Sequence, residues 1–482
     1  MDSDAPIYQF SDPALWQDWN YSQRFPDHHE LRRYFDYVDS KLDIRKDCRI
    51  NTRVVAADFD ESDRVWRLTV DDGTVVTAHY AVFATGSTVQ PYAPDFPGVE
   101  QYKGTLVHAG RWPEGLDYAN KRVAVIGTGA SGVQIIQEIG PVAEHLTVFQ
   151  RTPNLSLPMQ QKQLSAEDNE KLKERFAEWF ESWGGTFAGF HYDFDPRKAT
   201  DVSDAEREEI YEMLWNAGGF QFWLAGFSDY LFDLESNTSA YEFWKKKIRA
   251  IIKDPVKRDL LAPHTPPHPF GTKRPCLHQN YYDVMNQENV EIVPVRKNPI
   301  ERFTEGGIRT ADGREREFDI VVLATGYDTN TGTLTSIDVR GTDGRTLREK
   351  WADGVDAYLG VATHGYPNLL FLYGPQSPAA FMNGPASAEL QGDEVIRLLE
   401  FLREKGPNAR LEATEEADKA WTAEISAIDD VALFRHAESW YNAANIPGKH
   451  RQMLQYPGGV PGYLQGWKAE RESGYSKGFV IS

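Results

Sequence analysis

Between His29 and Ile44 the apolar residues Leu31, Tyr34, Phe35, Val38 and Leu42 return every three or four positions, which predicts a helix with one apolar face. Strand-like runs follow at Cys48–Phe59, Arg64–Val70 and Thr74–Gly86, with Asp72-Gly73 placed to turn a hairpin. The last run ends at Ala84-Thr85-Gly86. The same plan recurs downstream as Gly307–Thr310, a turn at Asp312-Gly313, and the run Phe318–Asp328 through Ala324-Thr325-Gly326. Two hairpins that each deliver an apolar strand into Ala-Thr-Gly predict two copies of one domain type.

A βαβ pattern lies between them. Lys121–Ile126 reads as a buried strand, GTGASG as a glycine turn, Val133–Ala143 as a helix and His145–Arg151 as a second strand. From about Ser165 to Ala262 the chain turns charged and helical, and its aromatics recur at helical spacing, so they are expected in a core. The C-terminal third, with His364–Pro378, Asn445–Gln452 and Tyr456–Gln465, is rich in Gly, Pro and aromatics and is expected to form a loop-built binding wall.

The chain has 482 residues, enough for about three domains at roughly 150 residues each. Its net charge of −20 argues against a nucleic-acid or anionic-membrane surface while leaving room for a local basic pocket. Cys48 and Cys276 are too few for a disulfide scaffold or a cysteine-rich metal site. No apolar run reaches the roughly 18 residues of a membrane span, and the first residues resemble no signal peptide, so a cytoplasmic protein is expected. No His/Asp/Glu group stands at metal-ligand spacing and no G-x-S-x-G elbow is present.

Gly127, Gly129 and Gly132 follow a strand and open a helix, the context in which G-x-G-x-x-G signals a dinucleotide. Gly127 allows the tight turn, Gly129 lets a pyrophosphate approach the backbone, and Gly132 lets helix and strand pack closely. The residues Gly127, Thr128, Gly129, Ala130, Ser131 and Gly132 are therefore cofactor-binding candidates, with the helix N-terminus facing the phosphates. About twenty residues on, where an NAD site offers Asp or Glu, the chain has Gln150-Arg151-Thr152. An arginine suits a 2′-phosphate, which favours NADP(H), and Lys273 could add a second positive charge. By contrast no glycine occurs from Met1 to Asp72, so the first copy has no phosphate-binding turn of its own.

The stretch YKGTLVHAGRWP, Tyr102–Pro113, resembles the fingerprint F-x-G-x-x-x-H-x-x-x-W-P of Baeyer–Villiger monooxygenases, with Tyr102 in place of the first Phe and matches at Gly104, His108, Trp112 and Pro113. FQRTPN, KRPCLHQNYYDVMN, LATGYD, YGPQSP and AESWYNAANIPGK extend the resemblance to flavin-dependent cyclohexanone and phenylacetone monooxygenases over nearly the whole chain. The resemblance implies an enzyme using FAD, NADPH and O₂, in which a flavin C4a-peroxide attacks a ketone and the adduct rearranges to an ester or lactone. It implies Arg274 and Asp2 as catalytic residues, the cation sustaining negative charge on oxygen and the carboxylate holding the cation. It also implies Tyr8, Asp2, Arg274 and Val54 near the flavin, Gly374–Ser377 with them, Lys273, Arg151 and Thr152 on the NADP phosphate, and Trp440 at the nicotinamide end. His108 is expected to link two domains rather than transfer protons. Taken alone, Arg274 reads as a surface ion-pair residue, Asp2 as a frayed terminus and Trp440 as a core or loop aromatic.

The expected fold is α/β: two Rossmann-like dinucleotide-binding domains, the first N-terminally truncated, plus an inserted helical subdomain. Residues 1–96 and 326–482 are assigned to the FAD-type domain, 97–164 and 278–325 to the NADP domain, and 165–277 to the helical insert. The family's first glycine turn would call for roughly 50–60 further residues. Two other readings stay open: N- or S-oxygenation by the same flavin chemistry, and a non-catalytic NADP-binding remnant. The ketone and the oligomeric state are not readable from the sequence.

Overall fold

In the computed structural model, which describes residues 1–482, strand β6 (Arg122–Ile126) lies inside a five-stranded, all-parallel sheet. Its order is Val290–Pro294, β7 (His145–Gln150), β6, Ile320–Leu323 and β5 (Thr105–His108). Val123, Ala124 and Val125 are wholly buried because helices and loops cover both faces, which is why this strand is a continuous apolar run. The chain leaves β6 toward β7 on one side and reaches Ile320–Leu323 on the other. The order therefore reverses at the end of β6, where open α/β sheets bind their ligands. Helix α2 (Ala130–Ile139) starts at that point and buries Val133, Ile136 and Ile139.

The repeated hairpin plan is present in three dimensions. Strands β1 (Val54–Asp60), β2 (Val65–Val70) and β3 (Val75–Ala78) form an antiparallel meander, joined at β1 by Asp338–Arg340 in parallel. Ile300–Phe303, Gly307–Thr310 and Glu315–Glu317 form its counterpart ahead of Ile320–Leu323. Gly73 and Gly313 turn the two hairpins at φ of +83° and +81°, a conformation glycine adopts without strain. The single strand expected over Thr74–Gly86 is two: β3 stays in the meander, while β4 (Ala81–Phe83) pairs in parallel with Leu369–Phe371. The switch at His79-Tyr80 is fixed by Tyr80, whose hydroxyl donates to the Ala409 carbonyl, and by the Ala81 N–H, which donates to Asn368. Below this junction Trp66, Phe83, Leu347 and Phe371 share a buried cluster, and Trp66 Nε1 donates to the Pro367 carbonyl at 2.8 Å.

The first helix, α1 (His28–Leu42), buries Leu31, Tyr34 and Val38 as its pattern demands, but Phe35 is 41% exposed. The segment 165–262 is helical, with Asp204–Ala217 and Leu234–Ile251 the longest helices, and Trp215, Phe222, Trp223, Phe243 and Trp244 pack in the core. The C-terminal third is less loop-like than its composition suggests. Gly384–Lys405, Glu415–Val431 and Gly459–Glu472 are helices, and the last takes up most of the Tyr456–Gln465 stretch. No helix is long and apolar enough to cross a membrane.

Candidate active site and dinucleotide cradle

The glycine turn after β6 is built against the strand that ends in Ala324. Gly127 has φ of +111°, and a Cβ there would run into the Ala324 carbonyl oxygen. A Cβ on Gly132 would run into the carbonyl of Gly127, so helix α2 could not sit so close to the turn. Gly129, by contrast, has nothing within 4 Å of its Cβ position, leaving space over the helix N-terminus. Two of the glycines thus close the backbone on itself and the third keeps room for a phosphate. These residues fit the pyrophosphate of a dinucleotide.

Thr128 Oγ1 donates to the Thr152 carbonyl at 2.7 Å, tying the turn to the end of β7. Asn154 continues the chain of contacts: its Nδ2 donates to the Thr128 carbonyl at 3.1 Å and lies 3.0 Å from Cys276 Sγ. The loop that carries Lys273 and Arg274 is thereby fixed to the glycine turn. Lys273 is held near Arg151, Arg296 and Glu438; burial, then Arg151, lowers its ammonium pKa to about 8. Thr152 Oγ1 is buried without a partner, a polar atom suited to a ligand.

The next residue faces another space. Arg274, Asp2, Tyr8, Gly86, Tyr373 and Trp440 line a cavity of about 610 Å³, within the size range of small-molecule sites. Arg274 Nε donates to Asp2 Oδ2 at 2.9 Å and Nη1 to the Ala380 carbonyl at 2.8 Å. Its guanidinium also lies 4.7 Å from the Phe220 ring centre and 5.8 Å from that of Trp223. Burial opposes the charge on both partners, yet each outweighs it for the other. Asp2 is held below the usual carboxylate range and Arg274 above the usual arginine range. Tyr8 donates to Asp2 Oδ1 at 3.3 Å, and burial, then Asp2, pushes its own pKa up. Asp2 is not frayed: Ser3, Asp4 and Ala5 behind it are buried, and the Ala5 N–H donates to Arg24.

A cation held by its own carboxylate thus stands one residue from Lys273, which lies near Arg151 at the end of β7. Residues 15–176 match the pyridine nucleotide-disulphide oxidoreductase family model. Cyclopentanone 1,2-monooxygenase of Comamonas sp. (strain NCIMB 9872) is 49% identical over 483 residues, spanning 100% of this chain and 87% of that protein. A Baeyer–Villiger monooxygenase of Pseudooceanicola batsensis is 35% identical, over 98% of this chain and 86% of its own length. The chain belongs to the Baeyer–Villiger monooxygenase family. A crystal structure of OTEMO in complex with FAD and NADP superposes with a TM-score of 0.95 at 37% identity, covering 100% of this chain and 90% of that one.

Within the fingerprint of this family, His108 stands at the end of β5, outside the Arg274 cavity. Its Nδ1 accepts from the Gly110 N–H at 3.0 Å, so the ring proton sits on Nε2 and donates to the Gly326 carbonyl at 3.2 Å. It bonds the segment after Ala324-Thr325 rather than any reacting group.

Val54 and Gly374–Ser377 do not line the Arg274 cavity. Val54 lines a separate groove of about 350 Å³ with Leu68, Phe83 and Ile337, which meets the cavity only at Ala84. Gly374–Ser377 lie behind the cavity wall: Gln376 is wholly buried and spends its amide on Ala357, Val355 and Thr422. Leu372, Tyr373, Ala379 and Ala380 form the wall instead. Phe35, the exposed residue of α1, lines the same cavity, which explains its failure to join the core. Asn154 in FQRTPN and Glu438 in AESWYNAANIPGK lie within stretches that carry the family resemblance, whereas Arg296 lies in none.

For FAD the fit is to the ring end. The cavity offers a largely apolar space beside a fixed cation.

Proposed function

We propose that this protein is an NADPH- and O₂-dependent flavoprotein monooxygenase that inserts oxygen beside a ketone carbonyl, giving an ester or lactone. The observation that carries the reading is the juxtaposition of Lys273 and Arg274. Consecutive residues place one cation near Arg151, just past the end of β7, and the other on the wall of the 610 Å³ cavity. FAD, when bound and reduced, supplies the electrons and the activation of O₂. The chain's own residues do the rest. The glycine turn Gly127–Gly132 and helix α2 hold the NADP pyrophosphate, while Arg151, Thr152 and Lys273 take the 2′-phosphate. Arg274 stabilises negative charge developing on oxygen in the cavity, where a preorganised cation is worth more than in water. Asp2 fixes the guanidinium, Tyr8 fixes Asp2, and Trp440 closes the cavity toward the nicotinamide.

The reading includes a division of the chain into an FAD-type unit at 1–96 and 326–482, an NADP unit at 97–164 and 278–325, and a helical insert at 165–277. It also places the enzyme in the cytoplasm, with a small-molecule ketone and O₂ as partners. The relative named for cyclopentanone makes small cyclic ketones the first substrates to test. The experiment is ketone-dependent NADPH oxidation by FAD-supplemented protein, with the products resolved by mass spectrometry. A lactone one oxygen heavier than the ketone, lost in Arg274→Ala, is the expected result. Oxidation of amines or sulfides with no ester from any ketone would refute it in favour of heteroatom oxygenation.

A further inference from the structure

Four charged side chains meet where two neighbouring parallel strands end. Arg151 follows β7 directly, and Arg296 stands two residues past Val290–Pro294. Because Gln150 pairs with Pro294, the two arginines leave the sheet side by side. Arg296 Nε donates to the Arg151 carbonyl at 3.2 Å, and its Nη2 donates to Glu438 Oε2 at 2.8 Å. Lys273 completes the group. Arg151, Glu438 and Arg296 are the charged residues that act on its ammonium, and Arg296, Arg151 and Lys273 pull the Glu438 carboxyl down. Glu438 is thus one carboxylate against three cations, an excess of two positive charges next along the chain from Thr152, whose buried hydroxyl has no partner.

That excess equals the charge of a phosphate monoester near neutral pH and has no use for the 2′-hydroxyl of NAD(H). Resting on the NADP reading above, we propose that Arg296 is a third cation for the cofactor's 2′-phosphate and that Glu438 is its counter-ion, holding Arg296 in reach and setting the site's charge. Glu438 lies two residues before Trp440, so the same short segment serves the phosphate and the cavity. The Arg296–Glu438 pair is half exposed, with side-chain exposures of 56% and 52%. Its value to folding alone is small, and its removal leaves the fold intact.

Equilibrium titration of NADP⁺, NAD⁺ and 2′,5′-ADP, followed by calorimetry at several salt concentrations, tests the assignment in wild type, R296A, R296K and E438Q. R296A weakens NADP⁺ and 2′,5′-ADP by about tenfold, the loss of one charge-assisted hydrogen bond, and leaves NAD⁺ within about twofold. R296K recovers part of the loss. E438Q keeps an amide oxygen to accept from Arg296 and raises the positive excess, so it tightens NADP⁺ by about threefold without changing NAD⁺. An NADP⁺ to NAD⁺ preference that stays at its wild-type value in R296A overturns the proposal, as does weaker NADP⁺ binding in E438Q. A wild-type protein with no preference for NADP⁺ would instead remove the dinucleotide reading on which the proposal stands.

Discussion

Replacing Asp2 by Asn keeps the shape of the group beside Arg274 and removes its charge. The substitution weakens a charge-assisted hydrogen bond at 2.9 Å, of a type worth about 1.5–3 kcal/mol. Asp2 keeps 37% of its side-chain surface exposed, so water screens the pair and the lower end applies, about 1.5 kcal/mol. Arg274 retains the Ala380 carbonyl and the Phe220 ring, so the guanidinium is loosened rather than released. If its position matters to the oxygen-transfer step, 1.5 kcal/mol becomes a fall in kcat of about tenfold. KM for the ketone should move much less, since Asp2 holds the cation rather than the substrate. The assay measures NADPH consumption and lactone formation together, because a misplaced cation lowers the product formed per NADPH. Asp2 has a depressed pKa, so its contribution is complete above the ordinary carboxylate value of about 4 and fades only as pH falls below that. The ratio of wild type to D2N should therefore be flat from about pH 6 to 9. A D2N enzyme with kcat and coupling within about twofold of wild type would refute the positioning role, and so would a ratio that collapses inside that window.

Lys273 titrates at about pH 8 because burial, then Arg151, disfavours its charge, so NADP⁺ affinity should fall as pH rises past about 8 while NAD⁺ affinity stays level. K273R, with a guanidinium that stays protonated, should flatten that profile in titrations across the same range. Gly127→Ala forces a Cβ against the Ala324 carbonyl at a φ of +111°, a combination costing about 3 kcal/mol or more. Thermal melting should show a clear drop in midpoint, and NADP⁺ and NAD⁺ binding should be lost together.

The parts of the fold that the sequence displays are those where one local pattern has one physical solution. Gly127-x-Gly129-x-x-Gly132 between an apolar strand and an amphipathic helix can only close a βαβ turn, and the paired Asp-Gly hairpins set the repeated meander. The break at His79-Tyr80 is invisible because both sides of it alternate correctly; what divides them is a choice of partner, β2 for one and Leu369–Phe371 for the other. Periodicity puts Phe35 on the buried face of α1, and it is tertiary context, the cavity at that end of the helix, that leaves it exposed. The family resemblance puts Val54 near the flavin, and its strand sets it in the groove that adjoins the cavity at Ala84. Arg296 and Glu438 stand 142 residues apart, and only Glu438 falls in a stretch that carries the family resemblance. A signal does exist for Arg296: in a parallel sheet, residues just past the ends of adjacent strands are neighbours, so a cation beyond Pro294 points to the same ligand as Arg151.

One peptide bond joins Lys273 to Arg274, and under the proposed function the two side chains serve different ligands. Their positions cannot be chosen independently, because a rotation of the backbone that improves one displaces the other. In thermodynamic terms the two compartments share a coupling free energy, and such coupling is reciprocal. Whatever factor an occupied phosphate cradle adds to the affinity of the cavity for an anionic ligand, the same ligand must add to the affinity of the cradle for NADP⁺.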